Sequence, residues 1–367
     1  MFSDFYKDKT VLVTGNTGFK GSWLTVWLLE LGAKVVGLSR DVPTTPSMFE
    51  LLGLKSRIDH HFTDVTDLAA VRQVLRKTQP DVVFHLAAQP IVTRSYEDPL
   101  ETLKTNVIGT ANILEGLRRS DRPCVAVMIT SDKCYENVEW TWGYRENDRL
   151  GGKDPYSASK AAAELVIHTF YHSFFKRPDS PLRVVSTRAG NVVGGGDWAD
   201  NRIIPDTVRA WSVDQPVVIR NPTSTRPWQH VLDPLSGYLL LGKRLSRGAD
   251  LNGESYNFGP SAEQVFTVSE FLDTMSASWP FKKQHEKFVA HVGTTIPEAG
   301  LLKLNCDKAQ TQLGWKPALL FSEAAAMTAD WYYAYYQNGI GGMYDLTLSQ
   351  LWAYSEKAQV RGLKWCG

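Results

Sequence analysis

The stretch Lys9-Thr10-Val11-Leu12-Val13-Thr14-Gly15-Asn16-Thr17-Gly18-Phe19-Lys20-Gly21 sets the reading of the whole chain. Its apolar half, Lys9 to Thr14, reads as a buried strand, and the glycines come at once after it. An amphipathic helical pattern runs from Ser22 to Leu31 and stops at Gly32; Lys34-Val35-Val36-Gly37-Leu38 then reads as a second strand. Between a strand and a helix, glycines permit a tight turn, let a backbone approach a pyrophosphate, and let helix and sheet touch. The unit predicts a nucleotide held by Gly15, Thr17, Gly18, Phe19 and Gly21 at the start of the helix.

The same alternation continues. Asp64-Val65 ends a short third strand, placed either to contact an adenine or, for Asp64, to cap the segment after it. Asp81 to Ala88 reads as a fourth strand, where Leu86, Ala87 and Ala88 let a cofactor lie close and His85 is a satisfied core residue. A helix is expected from about Pro99 to Leu117, with Asn106 bonding backbone at an irregularity in it. Val125 to Ile129 and Arg183 to Thr187 supply the fifth and sixth strands. This is the pattern of an α/β chain with a doubly wound parallel sheet of Rossmann type. After the second strand come Ser39-Arg40-Asp41. An acid there suits the ribose hydroxyls of NAD and an arginine suits the extra phosphate of NADP, so the pair leaves the cofactor open.

The chemistry concentrates between Thr130 and Lys160. Ser131-Asp132-Lys133 follow a buried strand, at the end where open α/β sheets bind ligands. Tyr156 and Lys160 are four apart at the start of a helical pattern, so both project from one face. A phenol acts as a base near neutral pH only with help. A neighbouring ammonium stabilises the phenolate, and a hydroxyl such as that of Ser131 orders the reacting oxygen. The loop from Cys134 to Asp154 is long and aromatic, as functional loops are. Past Gly194-Gly195-Gly196 the alternation stops, and Arg202, Arg220 and Arg226 follow, the last close to Trp228. Arginines suit a diphosphate and an aromatic suits a base ring. The expected division is a dinucleotide-binding domain (1–187 with about 228–260) and a smaller substrate domain (188–227 with 261–367).

Bulk properties exclude other classes. A net charge of +1 gives no electrostatic case for nucleic acid or an anionic membrane. No apolar run is long enough to span a bilayer, and the acidic start, Met1 to Asp8, is unlike a signal peptide. Cys124, Cys134, Cys306 and Cys366 are scattered, which argues against a disulfide framework or a metal site and for a cytoplasmic protein with reduced thiols. The aromatic tail from about Tyr332 has no functional reading.

The chain resembles the extended short-chain dehydrogenase/reductases that act on nucleotide sugars, from about residue 9 to about 317. Besides the glycine loop, the likeness rests on His85-Leu86-Ala87-Ala88-Gln89-Pro90, Thr130-Ser131-Asp132-Lys133-Cys134-Tyr135 and Trp142-Gly143-Tyr144-Arg145-Glu146. Arg188-Ala189-Gly190-Asn191-Val192-Val193-Gly194-Gly195-Gly196-Asp197-Trp198 and Arg226-Pro227-Trp228-Gln229-His230-Val231 extend it. It is most similar to the 4,6-dehydratase branch acting on CDP-glucose. The resemblance implies NAD as cofactor, with Arg40, Asp64 and Val65 around its adenosine and Lys160 on its nicotinamide ribose. Tyr156 would take the proton of the sugar's 4-hydroxyl, ordered by Ser131, while Asp132 and Lys133 would act as acid and base in the loss of water. Related enzymes carry an Asp-Glu pair there; a lysine serves as base only when neutral. Asn191, Arg202 and Arg226 would meet the diphosphate, Arg220 and Trp228 the nucleoside, and Gln89, Arg94 and Glu298 are further substrate contacts. Thr295-Ile296-Pro297-Glu298-Ala299 departs from the family in lacking a histidine beside its Glu-Ala. A homodimer or homotetramer is expected, joined through the helices starting near Pro99 and Tyr156. An epimerase or reductase of the same fold would share the glycine loop, Tyr156 and Lys160 without needing the Asp132-Lys133 pair.

Overall fold

Seven parallel strands form one sheet in the computed structural model, which describes residues 1–248, 250–261, 263–281, 287–290 and 301–366. They are β1 (Thr10–Thr14), β2 (Lys34–Ser39), β3 (Asp59–Phe62), β4 (Val82–His85), β5 (Cys124–Ile129), β6 (Leu182–Ala189) and β7 (Ser255–Phe258). Their spatial order is β7-β6-β5-β4-β1-β2-β3. β1 lies between β2 (Val11 beside Val35) and β4 (Val11 beside Val82). The chain therefore winds outward in both directions from the β1–β4 boundary, and a crevice opens beyond the carboxyl ends of those strands. The loops after β1, β4 and β5 all lead to that edge.

Helices cover both faces: α1 (Phe19–Glu30), α2 (Leu68–Thr78), α3 (Pro99–Leu103), α4 (Gly109–Arg118), α5 (Pro155–Phe170), α6 (Ile203–Ser212), α7 (Leu232–Ser246), α8 (Val268–Ser276), α9 (Phe321–Asn338) and α10 (Met343–Val360). Both faces of the central strands are thus buried, which is why β5 is apolar throughout. Several boundaries differ from the sequence expectation. α1 begins at Phe19 rather than Ser22, because Gly18 is its extended N-cap and Gly21 lies inside the first turn. β3 stops at Phe62, and Asp64 instead closes a turn by accepting the Thr66 N–H at 2.8 Å. α3 and α4 are one rod interrupted by a π turn, Lys104–Ile108, and Asn106 sits in that turn. Its amide bonds the N–H and C=O of Gln89 (2.8 and 3.1 Å) and the Ser159 hydroxyl (2.8 Å). His85 lies between the hydroxyls of Thr14 (2.8 Å) and Thr110 (3.2 Å), and burial pushes its imidazole down to about 3. It is a core residue.

The aromatic tail is structural. α10 returns along the amino terminus: the Trp365 ring stacks on Phe2, Tyr354 meets Trp27 edge-on, and Trp352 donates to Glu30 at 2.9 Å. Trp331 and Tyr332 of α9 are fully buried, and the Tyr332 hydroxyl bonds the backbone of Asp197. Among the described residues no helix is long and apolar enough to cross a membrane, and no cluster of metal-binding side chains occurs.

Asp233 on α7 joins this tail to the sheet. Its Oδ1 accepts the Ala318 N–H (2.7 Å) and the Tyr354 hydroxyl (3.0 Å), and burial pushes its carboxyl up to about 7. A carboxyl raised by folding contributes stability that is fully present below its unfolded value near ~4 and is lost as pH rises through about 7. Asp233→Asn keeps the acceptor without the charge. The wild-type melting temperature is therefore expected to fall relative to that of Asp233→Asn between pH ~4 and ~7 and to level off above that. A pH-independent difference would contradict this account.

Candidate active site

β5 delivers Thr130 to the crevice, and Ser131 caps a short turn, Asp132–Cys134, by accepting the Lys133 N–H at 3.3 Å. The Ser131 hydroxyl donates to Asp132 Oδ1 at 2.9 Å and lies close enough to the Tyr156 phenol to lower it. Tyr156 and Lys160 come from the first turns of α5, whose start is fixed by Pro155 and by the N-cap Asp154, which accepts the Ser157 N–H at 2.9 Å. The result is a row of three groups: phenol, hydroxyl, carboxyl. Asp132 is only 2% exposed, yet its Oδ2 has no protein partner. Gly190 leaves it room, since a Cβ there would stand 3.0 Å from that oxygen.

Burial dominates the electrostatics. It pushes the Tyr156 phenol up to about 12, against the Ser131 hydrogen bond and the charge of Arg202; Asp132 and Asp154 push the same way as burial. Among these influences on the phenol, the positive charge that lowers it is that of Arg202. Burial lowers the Lys160 ammonium to about 8, opposed by Cys134 and Glu164. Lys20, half-buried in the first turn of α1, is also pushed down to about 8, by burial and then by Arg202, with Asp132 opposing. Sequence alone assigns Lys20 no role beyond its place in the glycine motif. Arg202 is placed by its bond to Asp197 Oδ2 (2.7 Å) at the start of α6.

Behind the row lies an ion pair that no sequence motif announces. Glu164, one turn beyond Lys160, accepts from Arg188 of β6 (2.9 Å), the Ser186 hydroxyl (2.8 Å) and the Thr130 hydroxyl. Both side chains of the pair are 3% exposed, and Arg188 holds the Glu164 carboxyl below its ordinary range despite burial. Arg188 also donates to the Tyr135 hydroxyl (2.7 Å) and the Glu146 carbonyl (3.0 Å). The long aromatic loop is thereby tied beside the site.

The loop after β1 fits a dinucleotide's pyrophosphate. Gly15 has φ +70°, and a Cβ on it would meet the Ala87 nitrogen at 2.8 Å; one on Gly21 would stand 2.1 Å from the Gly15 oxygen. Gly18 caps α1 with no side chain, so the first-turn N–H groups face the crevice. The Thr17 hydroxyl donates to the Asp41 carbonyl at 2.7 Å, and Asn16 accepts from Ser39 at 2.8 Å, holding the loop against the end of β2.

The expected substrate contacts fare unevenly. Trp228 requires correction. It is 3% exposed, packs on Phe271 with ring centres 4.6 Å apart and donates to the Phe266 carbonyl, so its ring fills core and is closed to a base. Gln89 folds onto its own loop, with its amide bonded to Ile91 and Thr102, which leaves no N–H for a sugar. Arg94 is exposed beyond Val92, Val65 is buried in the sheet core, and Arg220 follows the strand Val217–Ile219. Asn191 lies between β6 and the short strand Val192–Val193. Arg226 lines a small cavity with Pro227, Pro260, Gln264 and Leu302. Glu298 and the Thr295–Ala299 segment lie outside the described residues.

The sequence profile of the GDP-mannose 4,6-dehydratase family matches residues 12–328. The chain belongs to this family. Among its curated relatives, the CDP-glucose 4,6-dehydratase of Salmonella typhimurium is 46% identical over 90% of this chain and 92% of the relative. A dTDP-glucose 4,6-dehydratase of Xanthomonas campestris is 28% identical over 88% and 93%. Among solved structures, an epimerase from Methanothermobacter thermautotrophicus has a TM-score of 0.76 at 24% identity, covering 91% of this chain and 95% of its own. The dTDP-glucose 4,6-dehydratase of Bacillus anthracis, in complex with NAD, has a TM-score of 0.72 at 22%, covering 88% and 96%. By family the protein is a nucleotide-sugar 4,6-dehydratase, a lyase that removes water.

Removing one partner of a buried pair leaves the other charge stranded, at a cost of about 3–5 kcal/mol. Glu164→Gln is expected to lower unfolding free energy by that order in a denaturant titration. A loss below ~1 kcal/mol would show that the pair does not hold the site together.

Proposed function

We propose that this protein converts CDP-D-glucose to CDP-4-keto-6-deoxy-D-glucose, with NAD as its resident oxidant. The carrying observation is the row Tyr156–Ser131–Asp132, which ends in a buried carboxylate oxygen without a partner. The 46% likeness to a CDP-glucose enzyme supports the choice of sugar nucleotide, and the glycine cradle with the NAD-bound fold relatives supports the cofactor. When bound, NAD accepts hydride from C4 and later returns it to C6.

The side chains do the rest. Tyr156 withdraws the proton of the 4-hydroxyl, with Ser131 ordering that oxygen and the Arg202 charge favouring the phenolate. Lys160 holds the nicotinamide ribose from the same face of α5. The 4-ketone acidifies C5; Lys133, in its neutral form, takes that proton, and Asp132, in its protonated form, gives one to the 6-hydroxyl, which departs as water. Arg202 and Arg226, with Asn191, receive the diphosphate. The dinucleotide half comprises 1–187 with about 228–260, and 188–227 with 261–367 hold the sugar nucleotide. We also infer a cytoplasmic homodimer or homotetramer joined through the α3–α4 rod and α5, since Leu100, Ile108 and Leu165 are exposed on them. Sedimentation velocity should give at least a dimer mass, and a monomer would refute it.

Purified protein incubated with CDP-, dTDP- and GDP-glucose, without added reductant, is expected to form a keto sugar from CDP-glucose at the highest rate. Lys133→Met is expected to retain C4 oxidation, seen as reduced-nicotinamide absorbance, while turnover falls by about 10²-fold or more. Keto-sugar formation by Lys133→Met at near wild-type rate would remove Lys133 from the mechanism.

A further inference from the structure

Arg40 and Asp41 pull in opposite directions on cofactor choice, and the fold brings a third group to them. Arg40 stands at the end of β2 against the glycine loop, because the Thr17 hydroxyl bonds the neighbouring Asp41 carbonyl. The adenosine ribose of a dinucleotide lies at that lip in sheets of this type. The Arg40 Nε donates to Asp41 Oδ2 at 3.0 Å, and its Nη1 donates to Glu101 Oε1 at 2.5 Å. Asp64 Oδ2 stands 3.9 Å from the same Nη1. Glu101 comes from α3, 61 positions away in the chain, and is itself placed by the N-cap Asp98, which accepts the Glu101 N–H at 2.9 Å.

We propose that Glu101 fixes the choice of NAD over NADP by occupying the guanidinium that would otherwise receive a 2′-phosphate. The inference rests on the dinucleotide reading above and adds the residue that sets its selectivity. Two of the three guanidinium nitrogens are engaged, so the two-pronged grip that a phosphate needs is taken. Three carboxylates around one guanidinium leave a net negative lip. It repels a phosphate dianion, while its oxygens accept from ribose hydroxyls. Arg40 has the residue type that reads the extra phosphate, and its partners silence it.

The test is equilibrium binding, by quenching of intrinsic tryptophan fluorescence, on protein freed of copurified nucleotide. Wild type should bind NAD on the order of 30-fold more tightly than NADP. Glu101→Gln should tighten NADP about five- to tenfold with less than about twofold change for NAD, and the gain should fade at high salt. Asp41→Asn should act in the same direction, which keeps the proposal testable should Glu101→Gln fold poorly. Adding Arg40→Ala to Glu101→Gln should erase the gain, whereas Arg40→Ala alone should barely change NADP binding. Unchanged NADP affinity in both acid variants, or equal changes for the two nucleotides, would overturn the proposal. Failure of wild type to bind either nucleotide would instead overturn the dinucleotide reading beneath it.

Discussion

The buried pair between Glu164 and Arg188 holds the catalytic end of the sheet in one arrangement. It joins α5, which carries Tyr156 and Lys160, to β6 through Arg188 and Ser186, and to the end of β5 through Thr130. Through Tyr135 and Asn257 the same network reaches the long loop and β7. Five pieces of the chain thus share one charge centre. Buried pairs seldom add net stability over an apolar alternative, because desolvation offsets the attraction. Their value here is positional, since any slip of α5 along the sheet would strand a charge.

That rigidity bears on the chemistry. Burial alone would leave a phenol too weakly acidic to serve near neutral pH, and the Tyr156 phenol does sit high, at about 12, in the protein alone. The groups that oppose burial are Ser131, from the end of β5, and Arg202, from the segment that leaves the main sheet. Activation of the phenol is therefore shared between the sheet and the segment bearing the proposed diphosphate arginines. Arg202 in turn is held by Asp197, whose backbone is fixed by Tyr332. The aromatic tail thus reaches the site at one remove, through a residue of α9.

Much of this is legible in the sequence, and the reasons are local. The glycine loop, the apolar strands and the Tyr156–Lys160 spacing are set by backbone geometry and periodicity, which neighbours cannot overrule. Trp228 misleads because an aromatic beside an arginine looks the same whether its ring faces a nucleobase or Phe271. Gln89 misleads because its amide bonds its own loop, a choice made by tertiary context. Glu164 and Arg188 stay hidden because each partner lies on a different element, though an acid one turn after Lys160 on a buried helix face is a usable signal. The Arg40–Glu101 contact is likewise beyond reach, since no local pattern brings α3 to the end of β2.

The central claim is that a single phenol begins an oxidation which the same bound dinucleotide reverses two carbons away. Turnover of CDP-glucose carrying deuterium at C4 tests this most directly, with the product read by mass spectrometry and NMR. The account predicts deuterium at C6 of the keto sugar, no net nicotinamide reduction, and loss of this transfer in Tyr156→Phe. Deuterium released to solvent, or retained at C4, would contradict it.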